Sequence, residues 1–151
     1  MKKTIFWILL ALVSGALLGK FTFDKYENVD IKQVISVNDK VYALKYGTFG
    51  NTEQMSEEIS NVERYIYIEE ENRVTAYVGI TTTKENADKL KVIYDKKNVP
   101  TSIEKISINN EEFIQNLNEY EKLLDATDDD NSLLIIEKQI LSCYEQLVVE
   151  S

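Results

Sequence analysis

Histidine is absent from the 151 residues of this chain, and cysteine occurs once, as Cys143. The absence of histidine removes the commonest general base and metal ligand, and a single thiol cannot form an internal disulfide. The sequence also has no Gly-x-Ser-x-Gly elbow, no phosphate-binding glycine loop and no paired-cysteine motif. We therefore expect a protein that is not an enzyme and that binds no cofactor.

Acidic residues outnumber basic residues in this chain. The chain contains 17 Lys and Arg against 26 Asp and Glu, which gives a net charge of −9. Such a surface repels phosphate backbones, so nucleic acid is not an expected partner. The consecutive acids Asp128, Asp129 and Asp130 do not have the spacing of a calcium-binding loop, and we interpret them as a solvated turn rather than a metal site.

One long apolar run lies near the N-terminus. Residues 4–19 are uncharged, and with Lys20 snorkelling the run reaches residue 23, a length of about 20 residues that suffices to cross a bilayer. Lys2 and Lys3 place the N-terminus in the cytoplasm. We predict that residues 1–23 form a transmembrane anchor, with a cleaved secretory signal as the alternative. Either way, the C-terminal domain is expected on the extracytoplasmic side of the cell membrane.

The region after the apolar run is mixed and polar. We interpret residues 24–40 as a linker, although a first strand at residues 33–37 is an alternative.

A strand–glycine–helix pattern then occurs twice. Residues 41–50, VYALKYGTFG, and residues 73–82, RVTAYVGITT, each run an extended segment into a glycine and then into a helix start. Each of the two helices is followed by a further strand, at residues 65–68 and 101–108. Two such units fold most simply as an antiparallel four-stranded sheet with both helices on one face. We therefore predict an α+β domain over residues 41–108.

Residues 109–151 predict a C-terminal helical hairpin. Apolar residues follow helical spacing in both halves, at Phe113, Ile114, Leu117, Tyr120, Leu123, Leu124, Leu133, Ile136, Ile140, Leu141, Tyr144, Leu147 and Val148. This hairpin either docks on the sheet domain, which is small enough to need covering, or pairs with another protein. The second alternative describes a membrane-anchored adaptor.

The strand alternation predicts one sheet face that no helix of residues 41–108 covers. Lys45, Tyr67, Thr75 and Tyr77 are expected on this open face. Tyrosines interleaved with hydrogen-bonding side chains can stack on sugar rings while binding their hydroxyls. Alternatively, these tyrosines are ordinary strand residues, favoured by β propensity and covered by the C-terminal hairpin.

Two motifs resemble those of the SPOR (sporulation-related repeat) domain. Residues 42–49, YALKYGTF, are similar to the family's first strand, which typically ends Val-Gln-Val-Gly-Ser-Phe. Residues 74–79, VTAYVG, followed by KENA at 84–87, resemble the second half of the repeat. The similarity covers residues 41–108. Lys45 stands where the family usually has glutamine, and Ile80-Thr81 replaces Pro-Phe.

The resemblance implies a ferredoxin-like βαββαβ fold, a bitopic membrane anchor and binding to the glycan strands of peptidoglycan at division or sporulation septa. In that family the open sheet face is the glycan site, which corresponds here to Lys45, Tyr67, Thr75 and Tyr77. The expected function is therefore non-catalytic glycan binding in the bacterial envelope. Septal or envelope proteins are further possible partners, above all in the adaptor alternative.

Overall fold

The computed structural model describes residues 39–150. Their order is β1 (Asp39–Phe49), α1 (Thr52–Glu58), β2 (Ile66–Glu70), β3 (Arg73–Thr81), α2 (Lys84–Lys96), β4 (Ser102–Ile108), α3 (Glu111–Asp125), α4 (Asp130–Tyr144) and a π-helical turn (Glu145–Val149). The predicted anchor at residues 1–23 and nearly all of the predicted linker lie outside the described residues. From residue 39 to residue 150, no helix combines the length and the hydropathy needed to span a bilayer.

The four strands form one antiparallel sheet in the order β2-β3-β1-β4. This confirms the predicted α+β class and the antiparallel four-stranded sheet. The pairing of β1 with β3 is irregular on both sides of Lys45, between Leu44 and Lys45 and between Lys45 and Gly47. Such bulges bend a strand and change which face its later residues occupy.

Short polar side chains cap the N-termini of the helices by accepting hydrogen bonds from free backbone N–H groups. Asn51 caps α1, Thr83 caps α2 and Asn110 caps α3. Asp129 caps α4 by accepting from the N–H and the hydroxyl of Ser132, at 3.0 and 2.7 Å. The acidic run before α4 therefore contributes a helix cap in addition to its solvated charge.

The centre of the sheet is covered on both faces. Ala43 and Leu44 are neighbours in β1, and both have no exposed surface. Because consecutive strand residues point to opposite faces, helices must cover both sides here. The prediction that one whole sheet face is open is therefore wrong for the central strands.

The C-terminal hairpin supplies part of this cover. Helix α4 contacts β3, and the ring of Phe113 in α3 packs edge-on against Tyr144 in α4, with centroids 5.4 Å apart. Six apolar hairpin side chains are at most 1% exposed, namely Phe113, Leu117, Leu124, Ile136, Ile140 and Leu141. Burial of each such side chain stabilises the fold by about 1.5–3 kcal/mol. The hairpin is thus an integral layer of the domain. Of the two alternatives for the hairpin, this is docking on the sheet domain.

Strand β3 extends beyond β2, whose pairing ends at Ile66 opposite Tyr77. Side chains satisfy the backbone groups of β3 that this leaves free. The Tyr94 hydroxyl donates to the carbonyl oxygen of Val78 at 2.9 Å, and the N–H of Ile80 donates to the carboxylate of Glu137. The hairpin and α2 therefore complete the sheet edge that β2 leaves unpaired.

A second hairpin acid, Glu121, binds the loop between β3 and α2. Its carboxylate accepts from the hydroxyls of Thr81 and Thr83, the N–H of Thr82 and the side-chain amide of Asn86, at 2.7 to 3.1 Å. Glu121 is 6% exposed. A buried carboxylate with this many donors is well compensated for its lost hydration, so it fixes α3 to the start of α2.

Candidate functional site

The structure brings three of the four predicted glycan-binding residues onto one sheet face. Lys45 lies opposite Tyr77 in the β1–β3 pairing, and Thr75 lies two residues before Tyr77 on the same strand. Tyr67 lies opposite Ala76 in the β2–β3 pairing. Because directly opposed residues share a face and successive residues alternate, Tyr67 points to the other side of the sheet. Its predicted place on the face of Tyr77 is wrong.

The cause is the turn between β2 and β3. Glu70 lies opposite Arg73, so the turn consists of two residues, Glu71 and Asn72. A two-residue turn places each odd-numbered residue of β2 opposite an even-numbered residue of β3. A shift of one residue in register moves a side chain to the opposite face, and this accounts for the position of Tyr67.

Glu104 of β4 joins the other two predicted residues. Its carboxylate lies 3.0 Å from the Lys45 ammonium and accepts a 2.6 Å hydrogen bond from the Tyr77 hydroxyl. Partial burial tends to raise the pKa of Glu104, but the Tyr77 hydrogen bond and the Lys45 charge outweigh it, so the pKa lies below its ordinary value. Glu104 is therefore held as a carboxylate between the two side chains.

Tyr77 itself is buried. It is only 5% exposed, and burial, followed by the hydrogen bond and charge of Glu104, raises the pKa of its hydroxyl above the ordinary range. The ring of Tyr77 is consequently not available for stacking on a ligand. Its role in this geometry is to position Glu104.

Two threonines extend the polar surface along β1 and β3. The hydroxyls of Thr48 and Thr75 are 3.3 Å apart and solvent-accessible, and the two residues lie opposite each other. The irregular pairing around Tyr46 allows Thr48 to share a face with Lys45, although the two are three residues apart. We call Lys45, Thr48, Thr75 and Glu104 the polar patch.

The polar patch is exposed enough to contact a ligand. The side chains of Lys45 and Glu104 are 32% and 34% exposed. Together the four residues offer an ammonium donor, a carboxylate acceptor and two hydroxyls that both donate and accept. Since they project from three adjacent strands about 4.8 Å apart, the patch spans roughly 10 Å across the sheet. This arrangement suits a neutral ligand with many hydroxyl groups.

Glu104 is a residue of the polar patch that the sequence alone does not reveal. The alternation of SIEKISI in β4 predicts a strand, but the pairing of β4 with β1, which brings Glu104 beside Lys45, depends on the three-dimensional fold. Among residues 39–150, no cluster of three or more acidic or cysteine side chains is arranged to hold a metal ion. No protein-family model, curated protein or solved structure matches this chain.

Proposed function

We propose that this protein is a non-catalytic component of the bacterial envelope whose domain binds the glycan strands of peptidoglycan through the polar patch. The observation that supports the proposal is that Lys45, Thr48, Thr75 and Glu104 lie together on one sheet face, with Thr48 exposed and the other three partly exposed. Their donors and acceptors match the hydroxyl and amide groups of a polysaccharide. The proposal includes the membrane anchor at residues 1–23 and a role in division or sporulation.

The strand order supports the finer assignment of the fold. The order β2-β3-β1-β4, with a helix after β1 and another after β3, is compatible with the ferredoxin-like arrangement that the SPOR resemblance implies. We assign residues 41–108 to a SPOR-like unit on this basis. The C-terminal hairpin is an addition that packs onto this unit.

The proposed binding mode differs from the one expected from the sequence. Neither tyrosine serves as a stacking platform on the polar patch, because Tyr77 is buried and Tyr67 lies on the opposite face. Binding therefore depends on hydrogen bonds, with Lys45 and Glu104 supplying the charge-assisted ones. Their fixed positions on paired strands lower the entropy lost on binding.

The adaptor alternative has less support. It was based on the apolar residues of the C-terminal helices, and six of these, including Phe113 and Leu124, are buried in the domain itself. An adaptor would have to use the polar outer surface of the hairpin instead.

Sedimentation of the chain with purified peptidoglycan sacculi tests the role of the patch. We expect Lys45→Ala and Thr75→Val to reduce the bound fraction severalfold, because each removes a hydrogen-bonding group from the exposed face. Tyr67→Ala is the matched control, since this side chain is 44% exposed on the other face. Equal binding by the wild type and both patch variants would refute the proposed site.

A further inference from the structure

A small cavity of about 80 Å³ lies beside the free edge of β3. Its apolar lining consists of Val62 from the segment between α1 and β2, Val78 from β3, and Leu134 and Leu141 from α4. It shares no residue with the polar patch. Because β2 does not reach this part of β3, the space beside Val78 is enclosed by helices and a loop instead of a strand.

The hydroxyl of the tyrosine that lines the cavity is already engaged. Tyr94 also lines the cavity, but its hydroxyl donates to the carbonyl oxygen of Val78. The tyrosine therefore presents its ring rather than a free polar group. As a result the inner part of the cavity is suited to an apolar group.

Three cationic side chains also line the cavity, in a chain whose net charge is −9. They are Arg64, Lys97 and Lys138, and Glu63 is the one carboxylate in the lining. Lys138 pairs with Glu63, and Arg64 pairs with Glu145. The cavity therefore combines an apolar interior with an excess of positive charge.

One of these cations has no ion-pair partner in the described chain. Within residues 39–150, Lys97 makes no ion pair, and its charge only adds to the stronger effect of Lys138 in lowering the pKa of Glu63. The guanidinium of Arg64 also lines the cavity. An anion bound beside Lys97 and Arg64 would therefore be attracted by two positive charges.

We propose that this cavity binds a carboxylate attached to a short aliphatic group. The aliphatic part occupies the space between Val78 and Leu141, and the carboxylate lies between Lys97 and Arg64. Since an apolar cavity of about 150 Å³ accepts benzene, this one admits an aliphatic group of roughly three carbons. Such a ligand is either a free short-chain carboxylic acid or the C-terminus of a peptide that ends in a small residue.

Isothermal titration calorimetry of the full-length chain tests this inference with three probes. Isobutyrate represents the free acid, N-acetyl-alanyl-alanine represents the peptide C-terminus, and isobutyramide is the uncharged control. We expect at least one of the two carboxylates to bind, and isobutyramide to bind at least about tenfold more weakly than the tighter-binding carboxylate. Tighter binding of the peptide identifies a C-terminus as the source, and tighter binding of isobutyrate identifies a free acid.

Two lysine variants locate the site. Lys97→Gln should weaken carboxylate binding about tenfold or more, whereas Lys122→Gln, the same change on an exposed side chain of α3, should leave it unchanged. Thermal unfolding of each variant verifies that it is folded. The inference is overturned if neither carboxylate binds the folded wild type, if isobutyramide binds as well as the tighter-binding carboxylate, or if the two variants behave alike.

Discussion

The backbone N–H of Ile80 donates a hydrogen bond to the side-chain Oε1 of Glu137, which lies 57 residues later in the chain. Ile80 is on the part of β3 that β2 does not reach, so its N–H has no strand partner there. The side chain of Glu137 supplies the acceptor that a neighbouring strand would otherwise provide. This contact makes the C-terminal hairpin necessary for completing the sheet.

The environment of Glu137 disfavours the ionised form of its side chain. The side chain is 1% exposed, and its second oxygen has no hydrogen-bond partner in the described chain. Burial raises the pKa of Glu137 well above its ordinary value, the N–H of Ile80 lowers it in part, and the charge of Glu121 raises it further. The folded protein therefore favours the protonated acid.

Glu137→Gln is expected to stabilise the protein at neutral and alkaline pH. The folded state retains a proton that the unfolded state releases, so the wild-type free energy of unfolding falls as pH rises from the ordinary carboxyl pKa through the raised one. Glutamine keeps an acceptor for Ile80 and cannot ionise. Urea unfolding at several pH values measures the difference.

The increase in unfolding free energy caused by Glu137→Gln should be near zero at pH 4 and should grow as the pH rises above 4. Glu119→Gln, at an exposed position of α3, is the control and should show no such trend. A variant whose stability differs from the wild type by the same amount at every pH would contradict this account of Glu137.

Glu121→Gln is expected to destabilise the domain by about 2–3 kcal/mol. An amide has one acceptor oxygen, and its NH₂ group would face donors such as the Thr82 N–H. The loss should appear in urea unfolding, with amide exchange of Thr82 accelerated relative to the wild type. Unchanged stability would show that the donors around Glu121 find water or another partner at little cost.

Leu124→Ala tests whether the hairpin belongs to the core. Leu124 is fully buried, so the substitution should lower the free energy of unfolding by about 3 kcal/mol through lost burial and a residual cavity. Val149→Ala, at a side chain 62% exposed, is the control and should change it by less than about 0.5 kcal/mol. Similar effects of the two substitutions would contradict the observed packing of the hairpin.

Tyr77→Phe tests the positioning of Glu104. Phenylalanine keeps the ring but removes the hydroxyl that donates to the carboxylate, at an expected cost of about 1 kcal/mol in unfolding free energy. The pKa of Glu104 should rise toward its ordinary value. Because a lowered pKa stabilises the fold above the ordinary carboxyl pKa and this stabilisation is lost on acidification, the variant should also lose less stability between neutral and acid pH.

An NMR titration of the Glu104 carboxyl measures this directly. If the pKa of Glu104 is the same in Tyr77→Phe as in the wild type, the Tyr77 hydroxyl does not help to hold Glu104 as a carboxylate, which would contradict the account.

The sequence predicts the sheet well because its signals are local. Alternating residues define β1 and β3, and the helix after β3 ends at Lys96, shortly before Asn98, which adopts a positive φ of 58°, and Pro100. Asparagine tolerates this left-handed conformation better than most residues. Element type and order could thus be inferred without knowing the tertiary contacts.

The candidate site was only partly predictable. The place of Tyr67 was open to inference, because a two-residue turn at Glu71 and Asn72 fixes the register. The burial of Glu121 and Glu137 was not, because isolated acids in an amphipathic helix normally indicate a solvent-exposed face. The burial of Glu137 follows from β2 being four residues shorter than β3, which leaves the Ile80 N–H for a tertiary contact. The burial of Glu121 follows from the donors in and around the loop between β3 and α2, which its carboxylate satisfies.

The most direct test of the proposed function is sedimentation of a fragment containing residues 21–151 with peptidoglycan, before and after an amidase removes the stem peptides. Glycan binding through the polar patch predicts that the folded fragment sediments with the sacculi and that removal of the peptides increases the bound fraction. A fragment that is folded by circular dichroism yet remains in the supernatant with both preparations would contradict the glycan-binding function.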